Sequence, residues 1–157
     1  YLFPKYSYMK DYMKKKLFIV SFFSLLCHAQ VFDSNNYIPA VDDAFMITAE
    51  LENQNILVNF KLLPETYIYL NKINLKDSKD SNMTFEFLGK KKEKEDVFFG
   101  LTEIFDSDFM IKFSPEKKEK ILLGFQGCYK NKVCYSSKIK NIFIKYDKKS
   151  ITSVKIY

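Results

Sequence analysis

The sequence has one histidine, no arginine and no tryptophan, and it has only three cysteines. The single histidine, His28, lies in an N-terminal segment that we expect to be removed from the mature protein. A mature chain without histidine cannot use a Ser-His-Asp or Cys-His mechanism, and it cannot form a zinc site that needs a histidine ligand. These absences exclude most hydrolase mechanisms, and we expect neither a bound metal nor a cofactor.

Glycine and proline are also scarce, with four of each in 157 residues, whereas 47% of the residues are hydrophobic and 17% are aromatic. Disordered chains have the opposite composition. The composition therefore indicates one globular domain with a sizeable core and a preference for β-structure.

The first 29 residues predict an over-extended start followed by a cleaved secretory signal peptide. Met13 begins a short basic segment, an apolar run follows at residues 17–26, and small residues stand at Cys27 and Ala29. Ten apolar residues are too few for a comfortable membrane span. We predict that translation starts at Met13 and that residues 30–157 form a single exported domain in the periplasm of a Gram-negative-type cell.

The net charge of +6 belongs mostly to this N-terminal segment. Residues 1–29 hold five of the 25 basic residues and one of the 19 acidic residues, so 20 basic and 18 acidic residues remain, a net charge of +2. All the basic residues are lysine, which lacks the bidentate contacts that arginine makes with guanine or phosphate. We therefore expect no nucleic-acid partner.

Apolar and polar residues alternate through much of the remaining chain, which predicts β-strands. The polar residues 52–55 predict a turn, and the polar stretch 77–82 and the charged run 90–96 predict solvated loops. No stretch of useful length has a helical period. Seven or eight short strands with turns between them favour an antiparallel β-sandwich. The clearest predicted strands are residues 45–51, 56–62, 66–70, 83–87, 109–113, 121–125 and 139–146, the last with a bulge near Asn141.

Cys128 and Cys134 lie on the two sides of a predicted short loop, with five residues between them. Facing residues on antiparallel strands are about 4.5–5.5 Å apart, which is within the reach of a disulfide of about 7 Å. Export would permit oxidation. Spacing alone favours a structural bridge, although a bridge that closes so short a loop stabilises a fold less than one joining distant segments. A static bridge and a redox pair therefore both stay open, and a metal chaperone using two thiolates is a weaker third interpretation.

Three segments together resemble one known family. The first is Gln126-Gly127-Cys128, followed by Cys134-Tyr135 six residues beyond Cys128. The second is residues 96–105, with an acidic residue, an aromatic pair and glycine, then Thr-Glu-Ile-Phe. The third is the Tyr-x-Tyr pattern of residues 67–72. Over roughly residues 38–146 the sequence is similar to the N-terminal periplasmic domain of the thiol:disulfide interchange protein DsbD.

The resemblance implies an immunoglobulin-like sandwich that acts as a thiol:disulfide oxidoreductase. Cys134 would form mixed disulfides with partners, and Cys128 would resolve them. Reducing equivalents would come from a membrane-embedded thiol carrier or a thioredoxin-like donor. They would pass to thioredoxin-fold periplasmic proteins of the disulfide-isomerase or cytochrome c maturation type. The domain would be a monomer without a small-molecule substrate. The alternative function is a non-catalytic exported binding module with a static disulfide.

The resemblance also implies the surroundings of the cysteines. Phe98 would be a lid over the sulfurs, and Asp96, if close, would disfavour a thiolate. Val97 stands where the family often has a second acidic residue. Core packing for Phe98 and a simple loop position for Asp96 are the ordinary structural alternatives. The residues implied to form the cap loop and to line the site are Asp96, Phe98, Phe99, Gly100, Tyr67 and Tyr69.

Overall fold

The computed structural model of the protein describes residues 37–97, 99–130 and 132–157. Residues 38–157 form one compact unit. The predicted signal peptide and the predicted lid residue, Phe98, lie outside the described residues. Within those residues, the chain has no helix with the length and apolar character that crossing a membrane requires.

The described residues are almost entirely β-structure. The one α-helix among them, α1, is a single turn at Val41–Ala44, and a 3₁₀ turn lies at Leu70–Lys72. The strands are β1 (Phe45–Glu52), β2 (Asn55–Leu62), β3 (Thr66–Tyr69), β4 (Asn74–Asp77), β5 (Glu86–Leu88), β6 (Lys92–Asp96), β7 (Gly100–Phe105), β8 (Phe109–Phe113), β9 (Lys120–Phe125), β10 (Gly127–Tyr129), β11 (Val133–Cys134), β12 (Lys138–Asp147) and β13 (Ser150–Ile156).

These strands form three antiparallel sheets. Their orders are β1-β2-β8-β5, β11-β10-β3-β7-β6 and β13-β12-β9-β4. The predicted all-β, antiparallel class is confirmed. Strand β11 lies at an edge of the five-stranded sheet, whereas β10 is paired on both sides, with β11 and with β3.

The β1–β2 hairpin agrees closely with the sequence pattern. Phe45 pairs with Leu62 at one end of the hairpin and Glu52 pairs with Asn55 at the other. The two turn residues, Asn53 and Gln54, both have positive φ angles, of 48° and 65°. This conformation matches the twist of the flanking strands, which is why such two-residue turns close hairpins.

The main core lies between the inward faces of the sheets and is rich in phenylalanine. The ring of Phe60 stacks on Phe109 with 4.4 Å between centroids, and Phe105 stacks on the same ring at 3.9 Å. Phe125 meets Phe60 edge to face at 6.1 Å. All four side chains are almost completely buried. Each contributes a large apolar area, so they supply much of the hydrophobic driving force for folding.

The structure corrects several details of the predicted strands: β4 and β7 had not been predicted, and the strand predicted at residues 83–87 is confined to Glu86–Leu88. The charged run at residues 90–96, predicted as a solvated loop, contains the edge strand β6. Charged residues suit an edge strand because they discourage pairing with another chain. Ser150–Ile156 form the additional strand β13, and the bulge lies in β13 at Thr152, opposite Lys145 and Tyr146, rather than near Asn141.

Candidate functional site

The five-stranded sheet buries side chains on both of its faces. Ile68 on β3 and Phe105 on β7 are register partners and belong to the main core. Alternate residues of a strand point to opposite faces. Tyr67, Tyr69, Ile104 and Cys128 form a second, smaller cluster. We call the face that carries this cluster the cysteine face.

Cys128 and Cys134 are register partners on β10 and β11 and are joined by a disulfide. Their exposures differ strongly. Cys128 is 1% exposed, whereas Cys134 is classed among the exposed residues. The difference follows from the sheet order, because Cys128 lies on an interior strand and Cys134 on the edge strand. Cys134 is therefore the more accessible residue of the pair.

Gly127 allows β10 to approach its neighbours closely. A Cβ atom at this position would collide with the carbonyl oxygen of Tyr67 and would lie 2.7 Å from the ring of Phe45. The register also pairs Cys128 directly with Tyr67. The absence of a side chain at position 127 thus lets Cys128 lie against β3 and the tyrosines.

A carboxylate and two tyrosine hydroxyls lie next to the disulfide. The Tyr69 hydroxyl donates a hydrogen bond of 2.8 Å to Oδ2 of Asp96, and the Tyr67 hydroxyl donates one of 3.1 Å to the same oxygen. The hydroxyl oxygen of Tyr69 lies 3.2 Å from Sγ of Cys128 and 3.8 Å from Sγ of Cys134. Tyr69 therefore connects the buried carboxylate to both sulfurs.

The surroundings keep both tyrosines protonated. Burial is the main cause that raises the pKa of Tyr69 far above its ordinary value, and hydrogen bonds with Tyr67 and Asp96 raise it further. Burial also raises the pKa of Tyr67, partly opposed by its hydrogen bond with Tyr69. Both hydroxyl groups therefore remain hydrogen-bond donors to Asp96. Asp96 is itself buried, with 6% of its surface exposed. The ammonium of Lys94 lies 3.9 Å from the same carboxylate oxygen.

A three-residue loop joins β6 to β7 next to this cluster. Asp96 and Gly100 are register partners at its base. Gly100 has a φ of +65°, while the space where a Cβ would stand is open, so the backbone conformation alone favours glycine there. The ring of Phe99 meets Tyr69 edge to face at 4.9 Å. Phe98, which lies between Val97 and Phe99 in the sequence, is outside the described residues. Its place over the sulfurs therefore stays a prediction.

A pocket of about 380 Å³ opens beside the exposed cysteine. Lys94 and Lys132 contribute to its lining, and the sequence interpretation had assigned neither of them to the site. Their positions follow from strand pairing and from contacts with aromatic rings, neither of which leaves a periodic signal in the sequence. The pocket is lined by Tyr67, Lys94, Asp96, Val97, Cys128, Tyr129, Lys132, Val133 and Cys134.

In its fold and site the chain belongs to the class of β-sandwich domains that carry a partly accessible disulfide, here held among aromatic rings and a buried carboxylate. The family model described as the N-terminal domain of the thiol:disulfide interchange protein DsbD matches residues 35–144. The chain belongs to this family.

Curated relatives carry the same family name. The thiol:disulfide interchange protein DsbD of Neisseria meningitidis serogroup A is 29% identical over 128 residues, which cover 78% of this chain and 21% of the relative. The protein of the same name from Colwellia psychrerythraea is 29% identical over 125 residues, covering 78% of this chain and 19% of the relative. The chain thus spans about a fifth of the length of these relatives.

Solved structures of the family agree with the fold. The reduced form of the Neisseria meningitidis DsbD N-terminal domain matches with a TM-score of 0.61 and 25% identity, over 80% of this chain and 97% of that chain. The complex between the DsbD and PilB N-terminal domains of the same organism matches with a TM-score of 0.54 and 25% identity, over 68% and 86% of the respective chains. The predicted immunoglobulin-like sandwich is confirmed.

Proposed function

We propose that the domain relays reducing equivalents in the periplasm through its Cys128/Cys134 pair, as a thiol:disulfide oxidoreductase of the protein-disulfide reductase type. The donor is a membrane-embedded or thioredoxin-like thiol carrier, and the acceptors are thioredoxin-fold periplasmic proteins. The solved complex of a family member with the PilB N-terminal domain supports a protein partner.

The relay consists of two exchange steps in which electrons balance. In the first step, the thiolate of Cys134 attacks one sulfur of an acceptor disulfide. A mixed disulfide forms, and the other acceptor sulfur leaves as a thiolate that takes a proton. In the second step, the thiolate of Cys128 attacks Sγ of Cys134 and releases the second acceptor thiol. The domain is oxidised to the disulfide and the acceptor gains two electrons and two protons.

The unequal exposure of the two sulfurs carries this proposal. A partner sulfur must approach the attacked sulfur along the axis of the breaking bond. At 1% exposure, Cys128 offers no such approach, whereas Cys134 on the edge strand does. We therefore assign the mixed disulfide to Cys134 and its resolution to Cys128.

The tyrosine–carboxylate cluster regulates the reduced pair in this proposal. After reduction, the Cys128 thiol can donate a hydrogen bond to the Tyr69 oxygen, whose own proton is donated to Asp96. The Asp96 carboxylate disfavours a second negative charge nearby, so the thiols stay protonated and slow to react until a partner binds.

Phe98 acts as a steric lid in the same proposal. The resemblance to the family supports this role, and Phe99, the next residue, packs on Tyr69 beside the sulfurs. Replacing Phe98 with alanine should speed the reaction of the reduced pair with a small oxidant such as hydrogen peroxide. Phe87→Ala, which changes a partly buried ring in another sheet, is the matched control. An unchanged rate for Phe98→Ala would remove the lid from the proposal.

Two cysteine variants test the assignment of roles. The Cys128→Ser variant keeps the accessible thiol and should accumulate a stable mixed disulfide with an oxidised thioredoxin-fold partner, visible on a non-reducing gel. The Cys134→Ser variant should form none, because its remaining thiol is buried. Equal trapping by both variants would contradict the assignment.

The reduction potential distinguishes the relay from a binding module with a static disulfide. Structural disulfides tend to have potentials below about −300 mV, whereas exchanging pairs are less reducing. We expect the Cys128/Cys134 pair to titrate above that limit against a glutathione or dithiothreitol buffer. A lower value would favour the static bridge.

A further inference from the structure

Three lysine ammonium groups lie over aromatic rings around the disulfide. Lys72 lies 4.5 Å from the ring centroid of Phe99, Lys94 lies 5.2 Å from that of Tyr67, and Lys132 lies 4.9 Å from that of Tyr129. We call these three lysines the lysine rim. They come from three separate segments: the 3₁₀ turn after β3, strand β6, and the loop between β10 and β11.

The rings under the rim line the pocket beside Cys134 or pack on a residue that contacts the sulfurs. Tyr67 and Tyr129 line the pocket beside Cys134. Phe99 packs on Tyr69, whose hydroxyl oxygen lies 3.8 Å from Sγ of Cys134. The ring contacts attract the ammonium groups by cation–π interaction and limit the positions that they can take. Lys94 and Lys132 therefore place positive charge in the pocket beside Cys134, and Lys72 adds a third positive charge over Phe99.

Negative charge near Cys134 is much less accessible. The one carboxylate in the lining of the pocket is Asp96, which is buried and hydrogen-bonded to two tyrosines. Farther along the cysteine face the charges balance, since Lys92 pairs with Asp106 at 2.6 Å and Glu65 lies beside Lys130 in a neighbouring pocket. The pocket beside Cys134 is thus lined by two lysines and one buried carboxylate.

We propose that the lysine rim is a docking surface for redox partners whose reactive cysteine is flanked by acidic side chains. This inference rests on the proposed relay and specifies the chemistry of its partner. Complementary charge steers the encounter, speeds association and disfavours partners with a basic surface around their cysteine. The exchange itself follows the two steps given above.

Three synthetic peptide probes test the charge preference. Each has one cysteine linked by a mixed disulfide to 2-nitro-5-thiobenzoate, flanked on both sides by glutamate, by glutamine or by lysine. The reduced domain attacks the mixed disulfide, releases the coloured thiol and ends as its own disulfide, while the peptide gains a free thiol. Each rate is divided by the rate of dithiothreitol with the same probe, which cancels the intrinsic reactivity of the peptide.

We expect the glutamate-flanked probe to react about tenfold faster than the lysine-flanked probe at low ionic strength, with the glutamine-flanked probe between them. The ratio should fall to about twofold near 1 M salt, where the Debye length is only about 3 Å. Equal normalised rates for the three probes would overturn the docking surface and leave the relay standing. No reaction with any probe would overturn both.

Two triple variants with the same net charge locate the effect. Lys72→Gln/Lys94→Gln/Lys132→Gln removes the lysine rim and should reduce the glutamate-to-lysine ratio to about twofold or less. Lys145→Gln/Lys149→Gln/Lys155→Gln removes three charges from the β12–β13 hairpin in another sheet and should keep the ratio. The ratio is measured within each variant, so a change in basal reactivity from the loss of Lys94 beside Asp96 does not affect it. An equal loss of preference in both variants would overturn the proposal, since net charge alone would then explain it.

Discussion

The hydroxyl group of Tyr69 donates a 2.8 Å hydrogen bond to Oδ2 of Asp96, the same carboxylate oxygen that accepts from Tyr67. The two partners are 27 residues apart in the chain, and the pairing of β3, β7 and β6 brings them together. Because the oxygen of Tyr69 also lies close to both sulfurs, we expect the ionisation of the reduced cysteines to be linked to this buried carboxylate. The first two predictions below concern Asp96 and Tyr69, the two members of this hydrogen bond.

The Asp96→Asn variant should form a thiolate at lower pH than the wild type. Asparagine keeps a hydrogen-bond acceptor for the tyrosines but removes the negative charge that opposes a nearby thiolate. We expect the pH midpoint for alkylation of the reduced domain by iodoacetamide to fall by about one unit or less. Tyr67→Phe, which removes a hydrogen bond and no charge, is the control. A midpoint equal to that of the wild type would contradict the electrostatic role of Asp96.

The Tyr69→Phe variant should lower the stability of the oxidised domain. The ring and its packing remain, but Asp96 loses its shorter hydrogen bond in a buried position. We expect a decrease of about 1–3 kcal/mol in the free energy of unfolding, measured with urea. Tyr146→Phe removes a hydroxyl that donates a 3.0 Å bond to the carbonyl of Lys118 at a half-buried site, and serves as the control. A smaller loss for Tyr69 than for Tyr146 would contradict the importance of the cluster.

The Gly127→Ala variant should destabilise the fold and disturb the site. The added Cβ would collide with the Tyr67 carbonyl, so β10 would have to move away from β3. We expect a loss of about 1–3 kcal/mol, together with a changed rate of disulfide reduction by dithiothreitol. Gly100→Ala meets no atom within 4 Å and adds only the strain of its φ of +65°, a cost of about 1–2 kcal/mol. If Gly127→Ala proves neutral, the close approach of the two strands is not required.

Stability should fall in acid because of Asp77. Hydrogen bonds from Lys118 and from the backbone NH groups of Ser81 and Lys79 lower the pKa of Asp77 from 3.8 to about 2. A carboxyl whose folded pKa is depressed contributes stability above its unfolded pKa, and that contribution is lost as the pH falls toward the folded value. We therefore expect the free energy of unfolding to decrease between about pH 4 and pH 2.

Two variants separate the sources of this pH dependence. Asp77→Asn should lower stability at neutral pH and flatten the curve below pH 4. Lys118→Gln removes the ion pair but keeps the two backbone hydrogen bonds, so its curve should be intermediate. A wild-type slope in Asp77→Asn would show that another carboxylate is responsible.

The alternating pattern of the sequence predicted the strands with a strongly apolar face, such as β1, β2 and β8, because such a face must be buried. It failed for β6, because all five residues of this strand are charged and the sequence therefore predicted a solvated loop. It also ended before β13, where a bulge at Thr152, between Ile151 and Val154, breaks the period of two. Strand order was not predicted, since pairing between distant segments leaves no local pattern.

The cysteine spacing, the Tyr-x-Tyr strand and the aromatic loop were recognisable in the sequence, because each is a short local motif. The shared carboxylate oxygen and the lysine rim were not, because they join residues from separate segments. Local sequence was sufficient to place Cys128 and Cys134 opposite each other across a short loop. The family resemblance implied that Cys134 meets the partner, but only the tertiary structure gives the unequal exposure of the two cysteines, because exposure depends on neighbouring strands: β10 is enclosed between β11 and β3, while β11 is left at the edge.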